Sequence, residues 1–371
     1  MNITHVVENL NRGGLERMVL DLVQLQQQQG HQCQVVCLYE TGALAHELDA
    51  AGIPVVACNK GRGIDLRALA RARWAIDRHE TDVLHTHNAV AHYQAVLASC
   101  GLDVLRILNT RHGMGAGQRT GRKEWLYRRA LTRTDVVVTV CEAARRSGVS
   151  RGMLPTAMTR VVPNGIAVDR FTPASRTMRQ HVLHLLGLDE QAFLIGNVGR
   201  LNWTKDQTGL IRAFGQVHQQ HPKAVLLLIG DGELRAQLEA CAAHEGVGDA
   251  VHFLGDRNDV RDLLQGLDLF VLSSASEGYS MALLEACAVA LPIIATEVGG
   301  NGEIIQSGRT GQLVPPGDAD ALAEAILLLL REPHRASAYG RAARSWVERY
   351  GSLEAMADRY ERLYQAVECT A

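Results

Sequence analysis

Two glutamates with different surroundings mark the stretch 273–285, Ser-Ser-Ala-Ser-Glu-Gly-Tyr-Ser-Met-Ala-Leu-Leu-Glu. Glu277 lies in its polar part, while Glu285 is flanked by Leu283, Leu284, Ala286 and Cys287. A carboxylate in so apolar a segment is costly unless it is hydrogen-bonded, and sugar hydroxyls are suitable donors. The plainer alternative is an acid at a helix start and a second acid facing solvent. A cationic set lies in 198–206, Val-Gly-Arg-Leu-Asn-Trp-Thr-Lys-Asp. Arg200 brings a planar fork and Lys205 a point charge, a combination that can clamp a diphosphate. A solvated basic loop is the alternative. Histidine supplies the third set. His85 and His87 stand two residues apart and share a face if their strand continues. No third ligand is evident beside them, so no catalytic metal is expected. His112, followed by Gly113 at a strand end, is the candidate active-site histidine, its alternative being a hydrogen-bonded loop residue.

Glycine turns accompany these side chains. Asn11-Arg12-Gly13-Gly14 lies between a strand pattern and a helix pattern. Paired glycines let a ligand approach the backbone, and a helix start favours an anion. The run is not the Gly-x-Gly-x-x-Gly dinucleotide fingerprint, and a tight turn explains it equally well. Gly230-Asp231-Gly232-Glu233 and Gly255-Asp256-Arg257 end two further strand patterns. Asp318-Ala319-Asp320 precedes a helical run and is expected to cap it rather than bind metal. The segment 119–133 holds Arg119, Arg122, Lys123, Arg128, Arg129 and Arg133 among Trp125, Leu126 and Tyr127. Such a helix can lie on an anionic membrane or be a solvated face with buried aromatics.

Alternating strands and helices are required to hold these residues. Apolar strand-like runs occur at 3–7, 34–39, 54–57, 82–85, 104–108, 136–140 and 160–162. The pattern restarts with runs at 193–198, 225–229, 251–254, 269–272, 292–295 and 312–314. The alternation predicts an α/β protein with two mostly parallel sheets covered by helices. A helix is expected over 280–290, after the loop that carries Glu277. The polar elements recur at the carboxyl ends of strands, where open α/β sheets bind ligands. The break between halves falls around 169–190, giving expected domains of 1–175 and 176–352. The tail has Leu353, Met356, Tyr360, Leu363 and Tyr364 at helical spacing, so a helix over 353–368 should find an apolar surface to pack on.

Composition narrows the function. The chain has 371 residues and a net charge of −2, enough for two domains and too balanced for a nucleic-acid binder. No apolar run approaches the ~20 residues of a spanning helix. Met1-Asn2 leads straight into a strand pattern, so no leader is expected. The eight cysteines contain no Cys-x-x-Cys pair and are expected to be reduced thiols of a cytoplasmic protein.

Together these residues resemble the retaining glycosyltransferases of family 4, with the GT-B fold of two facing Rossmann-like domains and a cleft between them. The resemblance runs through most of the chain. It is carried by Gly13-Gly14, His85-x-His87, His112-Gly113, Val162-Pro163-Asn164-Gly165, Gly199-Arg200 with Lys205, and Gly230-Asp231-Gly232. Gly299-Gly300 with Glu303 continues it, and the Glu277-x7-Glu285 spacing is its most specific piece. The resemblance implies transfer of a hexose-type sugar from a nucleotide-diphosphate sugar to a glycan or lipid-linked acceptor. The donor would sit mainly in the C-terminal domain, and the tail helix 353–368 would pack on the N-terminal one. Arg200 and Lys205 would neutralise the diphosphate, Glu285 would hold the ribose, and Glu277 the donor sugar. Backbone amides at Tyr279, Ser280 and Met281 would bind the distal phosphate. His112 would face the transferred sugar, with Gly13 and Gly14 bordering acceptor or phosphate. Asn164, Gly199, Gly230, Asp231, Arg257 and Gly278 complete the expected donor site. Lys205 is followed by Asp206 where the family often has Gly, and Tyr279 by Ser280 where many members have Gly. Both departures bear on loop geometry.

The chemistry implied is same-face attack with no metal and no other cofactor, the departing phosphate taking the acceptor's proton. A covalent intermediate on Glu277 is the alternative route to retention. The implied location is cytoplasmic, with the inner face of the membrane as a candidate contact. A sugar-nucleotide epimerase on the same fold and a non-catalytic nucleotide-sugar sensor are the competing functions. A dehydrogenase lacks its fingerprint here.

Overall fold

In the computed structural model, residues 1–11, 13–63, 65–114, 121–173 and 175–365 are described. Arg12, Arg119 and the expected helix residues 366–368 therefore lie outside them. The chain divides into two compact units, Met1–Ile166 with Leu353–Ala371, and Ala167–Ser352.

The first unit is built on β1 (Asn2–Val7), β2 (Gln32–Cys37), β3 (Val55–Ala57), β4 (Val83–His87), β5 (Arg106–Arg111), β6 (Val136–Thr139) and β7 (Thr159–Val161). These pair in parallel in the order β3-β2-β1-β4-β5-β6-β7. The second unit holds β8 (Phe193–Val198), β9 (Ala224–Ile229), β10 (Val251–Gly255), β11 (Leu269–Leu272), β12 (Ile293–Thr296) and β13 (Gln312–Val314). Their order is β10-β9-β8-β11-β12-β13, again all parallel. Both orders are the doubly wound pattern of GT-B. Each reverses direction beside its first strand, between β1 and β4 and between β8 and β11. That switch point opens a crevice at the carboxyl ends of the strands.

The strands are apolar because helices cover both faces. In the second unit Leu226, Leu228, Val271 and Ile294 pack with Leu210, Phe214 and Ile326 from the helices, all fully buried. In the first unit Val6, Val36 and Leu84 meet Ala72, Ile76 and Ala91 in the same way.

The first boundary falls at Ile166, ahead of the expected 175. Hydrogen bonds explain the shift. Arg261 donates to the carbonyl of Arg170 at 3.0 Å, Arg344 to that of Phe171 at 2.6 Å, and Thr172 to the Gln265 side chain at 3.1 Å. The segment that looked like a linker is tied into the second unit. The last helix, Leu353–Gln365, returns to the first unit, where Leu353 donates to the carbonyl of Ile166 at 2.8 Å. Among the described residues no helix is long and apolar enough to cross a membrane.

Candidate active site

In the second unit the candidate residues gather at the β8–β11 switch point. The helix expected over 280–290 runs Met281–Ala288, with Ser280 as its N-cap accepting from the Leu283 amide at 3.3 Å. The loop before it is sewn to the loop after β8. Ala275 and Ser276 donate to the Thr204 carbonyl at 2.9 and 3.2 Å, and Ser273 to that of Lys205 at 2.9 Å. These bonds bring Lys205 onto Glu277 in an ion pair whose side chains keep only 20% and 10% of their surface. Ser274 also donates to Glu277 Oε1, at 2.6 Å. The glutamate is thus held by a cation and a hydroxyl, and the lysine by the glutamate. A pair this enclosed is costly to break, because removing one partner strands the other charge.

Arg200 lies in the loop after β8, exposed, with no side-chain hydrogen bond or ion pair among the described residues. Its charge is available to an anion. Asp206 takes φ +44°, the left-handed conformation that glycine adopts freely. Its carboxylate also accepts from the Gly209 amide at 3.1 Å and so caps the helix Gln207–Gln220. An aspartate here keeps the backbone turn and adds a cap. Tyr279 and Ser280 are both buried, so the second departure also fits a closed loop.

Gly299 has φ +53°, and a Cβ there would lie 1.9 Å from the carbonyl oxygen of Glu277. Gly300 donates to the Gly278 carbonyl at 2.8 Å. Only a glycine lets this turn press against the backbone that carries Glu277. Gly230 and Gly232 serve the neighbouring loop. A Cβ at either would sit 2.2 or 2.3 Å from the carbonyl oxygens of Gly199 and Leu201. Asp231 is exposed and bonds locally, its Oδ1 accepting from the Gly232 amide at 2.8 Å. Arg257 follows the edge strand β10, and Asp259 occupies its fork at 2.8 and 2.5 Å. The structure does not bring Arg257 against Lys205 or Glu277. Glu285 is half-buried on the helix Met281–Ala288.

Three expected donor residues belong to the first unit: Gly13, Gly14 and Asn164. Gly13 caps and Gly14 begins the helix Gly14–Gln28. A recess of about 230 Å³ at the β1–β4 switch point is lined by Val7, Glu8, Asn9, Leu15, Glu16, His87 and Asn88. Asn164 is buried, and its Oδ1 has no partner among the described residues.

Histidine fills the same end of the first sheet. β4 continues to His87, so His85 and His87 do share a face. His5 on β1 is the register neighbour of His85 and joins them. This corrects the expectation that no third ligand stands beside the pair: ligand atoms of the three lie within 4.8 Å of one another. Every one of their ring nitrogens is nonetheless engaged. His5 reaches His87 at 3.1 Å and Gln26 Oε1 at 2.8 Å. His85 reaches Tyr364 and Thr110, each at 2.8 Å, and His87 reaches His112 at 3.1 Å. Burial pushes His5 down to about 4 and His112 to about 3, and holds His85 and His87 well below the usual histidine range. All four are neutral near pH 7.

Sequence reasoning passed over His5, Gln26 and Ser274. Gln26 sits in a glutamine run within an ordinary helix pattern, and His5 in an apolar strand. What joins them to His87 is the pairing of β1 with β4, which periodicity does not reveal. The basic helix Arg122–Leu131 exposes Arg122, Lys123, Arg128 and Arg129, with Trp125 64% exposed and Tyr127 buried.

Comparison with known proteins agrees with this architecture. The family described as Glycosyltransferase Family 4 matches residues 12–170, and Glycosyl transferases group 1 matches residues 184–346. A putative glycosyltransferase EpsD of Bacillus subtilis is 29% identical over 309 residues, 80% of each chain. A GDP-mannose-dependent monoacylated alpha-(1-6)-phosphatidylinositol monomannoside mannosyltransferase of Corynebacterium glutamicum is 31% identical over 273 residues, 70% of each. The crystal structure of Anabaena Alr3699/HepE in complex with UDP and glucose superposes with a TM-score of 0.87 at 21% identity, covering 99% of this chain and 100% of that one. With both halves matched in sequence and the twin parallel sheets matched in space, the chain belongs to the group 1, family 4 glycosyltransferases and is a glycosyltransferase enzyme.

Proposed function

We propose that the protein moves a hexose-type sugar from a nucleoside-diphosphate sugar to a glycan or lipid-linked acceptor, with retained anomeric configuration. The observation that carries this reading is the Lys205–Glu277–Ser274 cluster at the β8–β11 switch point, with Arg200 exposed in the same loop as Lys205. Breaking an anomeric bond to a diphosphate leaves negative charge on the leaving group. Arg200, Lys205 and the start of the helix Met281–Ala288 are fixed positive features that meet it. These residues supply that stabilisation without a metal.

Glu277 acts in this reading as an anchor for sugar hydroxyls. Its Oε1 already accepts from Ser274, and Lys205 neutralises it, which makes it a poor nucleophile. Same-face attack, with the departing phosphate taking the acceptor's proton, then accounts for retention. Glu285 holds the ribose. Relatives named for GDP-mannose and for UDP-galactose leave both donor classes in the frame, and a relative acting on a diphosphoundecaprenol-linked sugar favours a lipid-linked acceptor. An exposed basic helix with Trp125 would suit work at the inner face of the membrane.

A thermal-shift panel of nucleotides and nucleotide sugars identifies the donor, since a ligand bound only by the native state raises its stability. Nuclear magnetic resonance of the product made from an α-linked donor should then show an α-linkage. A β-linked product would refute retention. Nucleoside diphosphate released only when acceptor is present supports transfer, and an epimerised sugar nucleotide formed without acceptor would refute it.

A further inference from the structure

We infer that Gln26, through His5 and His87, fixes the tautomer of His112 so that its Nδ1 lone pair is presented as a hydrogen-bond acceptor for a ligand hydroxyl. The argument follows protons along one chain of bonds. Gln26 Oε1 can only accept, so His5 Nε2, 2.8 Å away, carries the proton of that ring. A neutral imidazole has one N–H, so His5 Nδ1 is an acceptor. His87 Nε2, 3.1 Å from it, must then donate. His87 Nδ1 becomes an acceptor in turn, and His112 Nε2, 3.1 Å away, donates to it. The last ring is left with a bare Nδ1. That atom is buried and has no partner among the described residues.

The far end of the chain is anchored as well. The Gln26 amide donates to Tyr364 Oη at 3.1 Å, and Tyr364 Oη lies 2.8 Å from His85 Nδ1. Both amide groups of Gln26 are therefore engaged, Oε1 by His5 and Nε2 by Tyr364. Burial keeps the histidines uncharged near neutral pH, so no ring carries a second proton that would interrupt the sequence. A buried acceptor without a donor is a cost that a ligand removes. Among the groups of a plain hexose, only a hydroxyl can donate to it. The ligand's chemistry rests on the sugar-transfer reading, whereas the tautomer does not. His112 touches the ligand, while His87, His5 and Gln26 are positioning residues acting through it.

The test is ring-nitrogen magnetic resonance of the full-length protein labelled with ¹⁵N-histidine, without ligand, at pH 7.5. The His112 signals are assigned by their loss in His112→Gln. The expected result is the Nε2–H form of His112 alone. An Nδ1–H form, the outcome of the whole chain running in reverse from a turned-over Gln26, overturns the inference, and so does a mixture. Gln26→Leu should mix the tautomers and lower turnover by roughly tenfold, the worth of one well-placed hydrogen bond. Gln26→Glu, when ionised, can only accept toward His5, so it should keep the Nε2–H form and restore most of the turnover. An unchanged tautomer in a folded Gln26→Leu protein overturns the relay, and if that variant does not fold, the wild-type and Gln26→Glu spectra decide. The expected wild-type spectrum in a protein that turns over no nucleotide sugar would refute the sugar-transfer reading and leave the relay standing.

Discussion

At the carboxyl ends of β1, β4 and β5 the first unit places uncharged histidines joined by hydrogen bonds, with His112 Nδ1 left without a partner among the described residues. At the equivalent ends of β8 and β11 the second unit places Lys205, Glu277 and the unpaired Arg200. The two crevices arise from one topology and are lined by opposite chemistries. A charged crevice suits a diphosphate, whose charge needs counter-charge. A crevice lined by uncharged histidine and by the carboxylates Glu8 and Glu16, acceptors all, suits a ligand recognised by its hydroxyls. The shared fold thus dictates where each site lies, and side chains decide what it takes.

Acid should separate the units most strongly. His5, His85, His87, His92 and His112 all have folded-state values below the ordinary 6.5. A depressed histidine binds its proton more readily in the unfolded chain. Its contribution is therefore present above pH 6.5 and is lost as pH falls toward the folded value. For His5, which falls to about 4, the loss is on the order of 3 kcal/mol. Hydrogen exchange followed from pH 7 to pH 4 should show first-unit amides losing protection before second-unit amides. Simultaneous loss would break the contrast.

Lys205→Ala should come next. It removes leaving-group stabilisation and strands Glu277, so turnover should fall by roughly 10²–10³. It should also weaken the nucleoside diphosphate and lower the melting temperature. An unchanged rate would remove the charged crevice from the mechanism.

Gly299→Ala tests the turn behind Glu277. Its positive φ and the Cβ at 1.9 Å from the Glu277 carbonyl oxygen force a backbone shift. A loss of about 1–3 kcal/mol is expected, with reduced donor affinity. Denaturant melts and titration of the variant check both parts.

The smallest effect concerns the first unit's outer surface. Binding to anionic vesicles should weaken by about 1 kcal/mol for each of Arg122, Lys123, Arg128 and Arg129 changed to Ser, and should weaken with salt. Co-sedimentation at low salt measures this. Absence of binding by the wild type would refute the membrane contact.

Much of this was legible in the sequence, for a physical reason. Parallel strands buried on both faces are continuous apolar runs, so all thirteen strands were readable to within a few residues. The β8 loop and the Glu277 loop were readable because charges interrupt those runs. The Lys205–Glu277 pair was not, since it depends on the bonds to the Thr204 and Lys205 carbonyls. The histidine relay was half legible. His85, His87 and His112 announce themselves, but His5 and Gln26 reach them only through strand pairing and helix packing. Arg257 shows the converse: a cation in the expected place is taken by the nearby Asp259.

In the proposed reading the second unit divides donor recognition between two glutamates, Glu285 for the ribose and Glu277 for the sugar. Calorimetric titration with the free nucleoside diphosphate, beside steady-state kinetics with the full donor, tests it most directly. Glu285→Gln should weaken both ligands by similar factors, by the loss of charge-assisted bonds worth roughly 1.5–3 kcal/mol each. Glu277→Gln should leave the free nucleotide's affinity unchanged or slightly raised, because Lys205 is released from its ion pair, yet depress turnover of the full donor. Equal loss of nucleotide affinity in both variants would contradict the account.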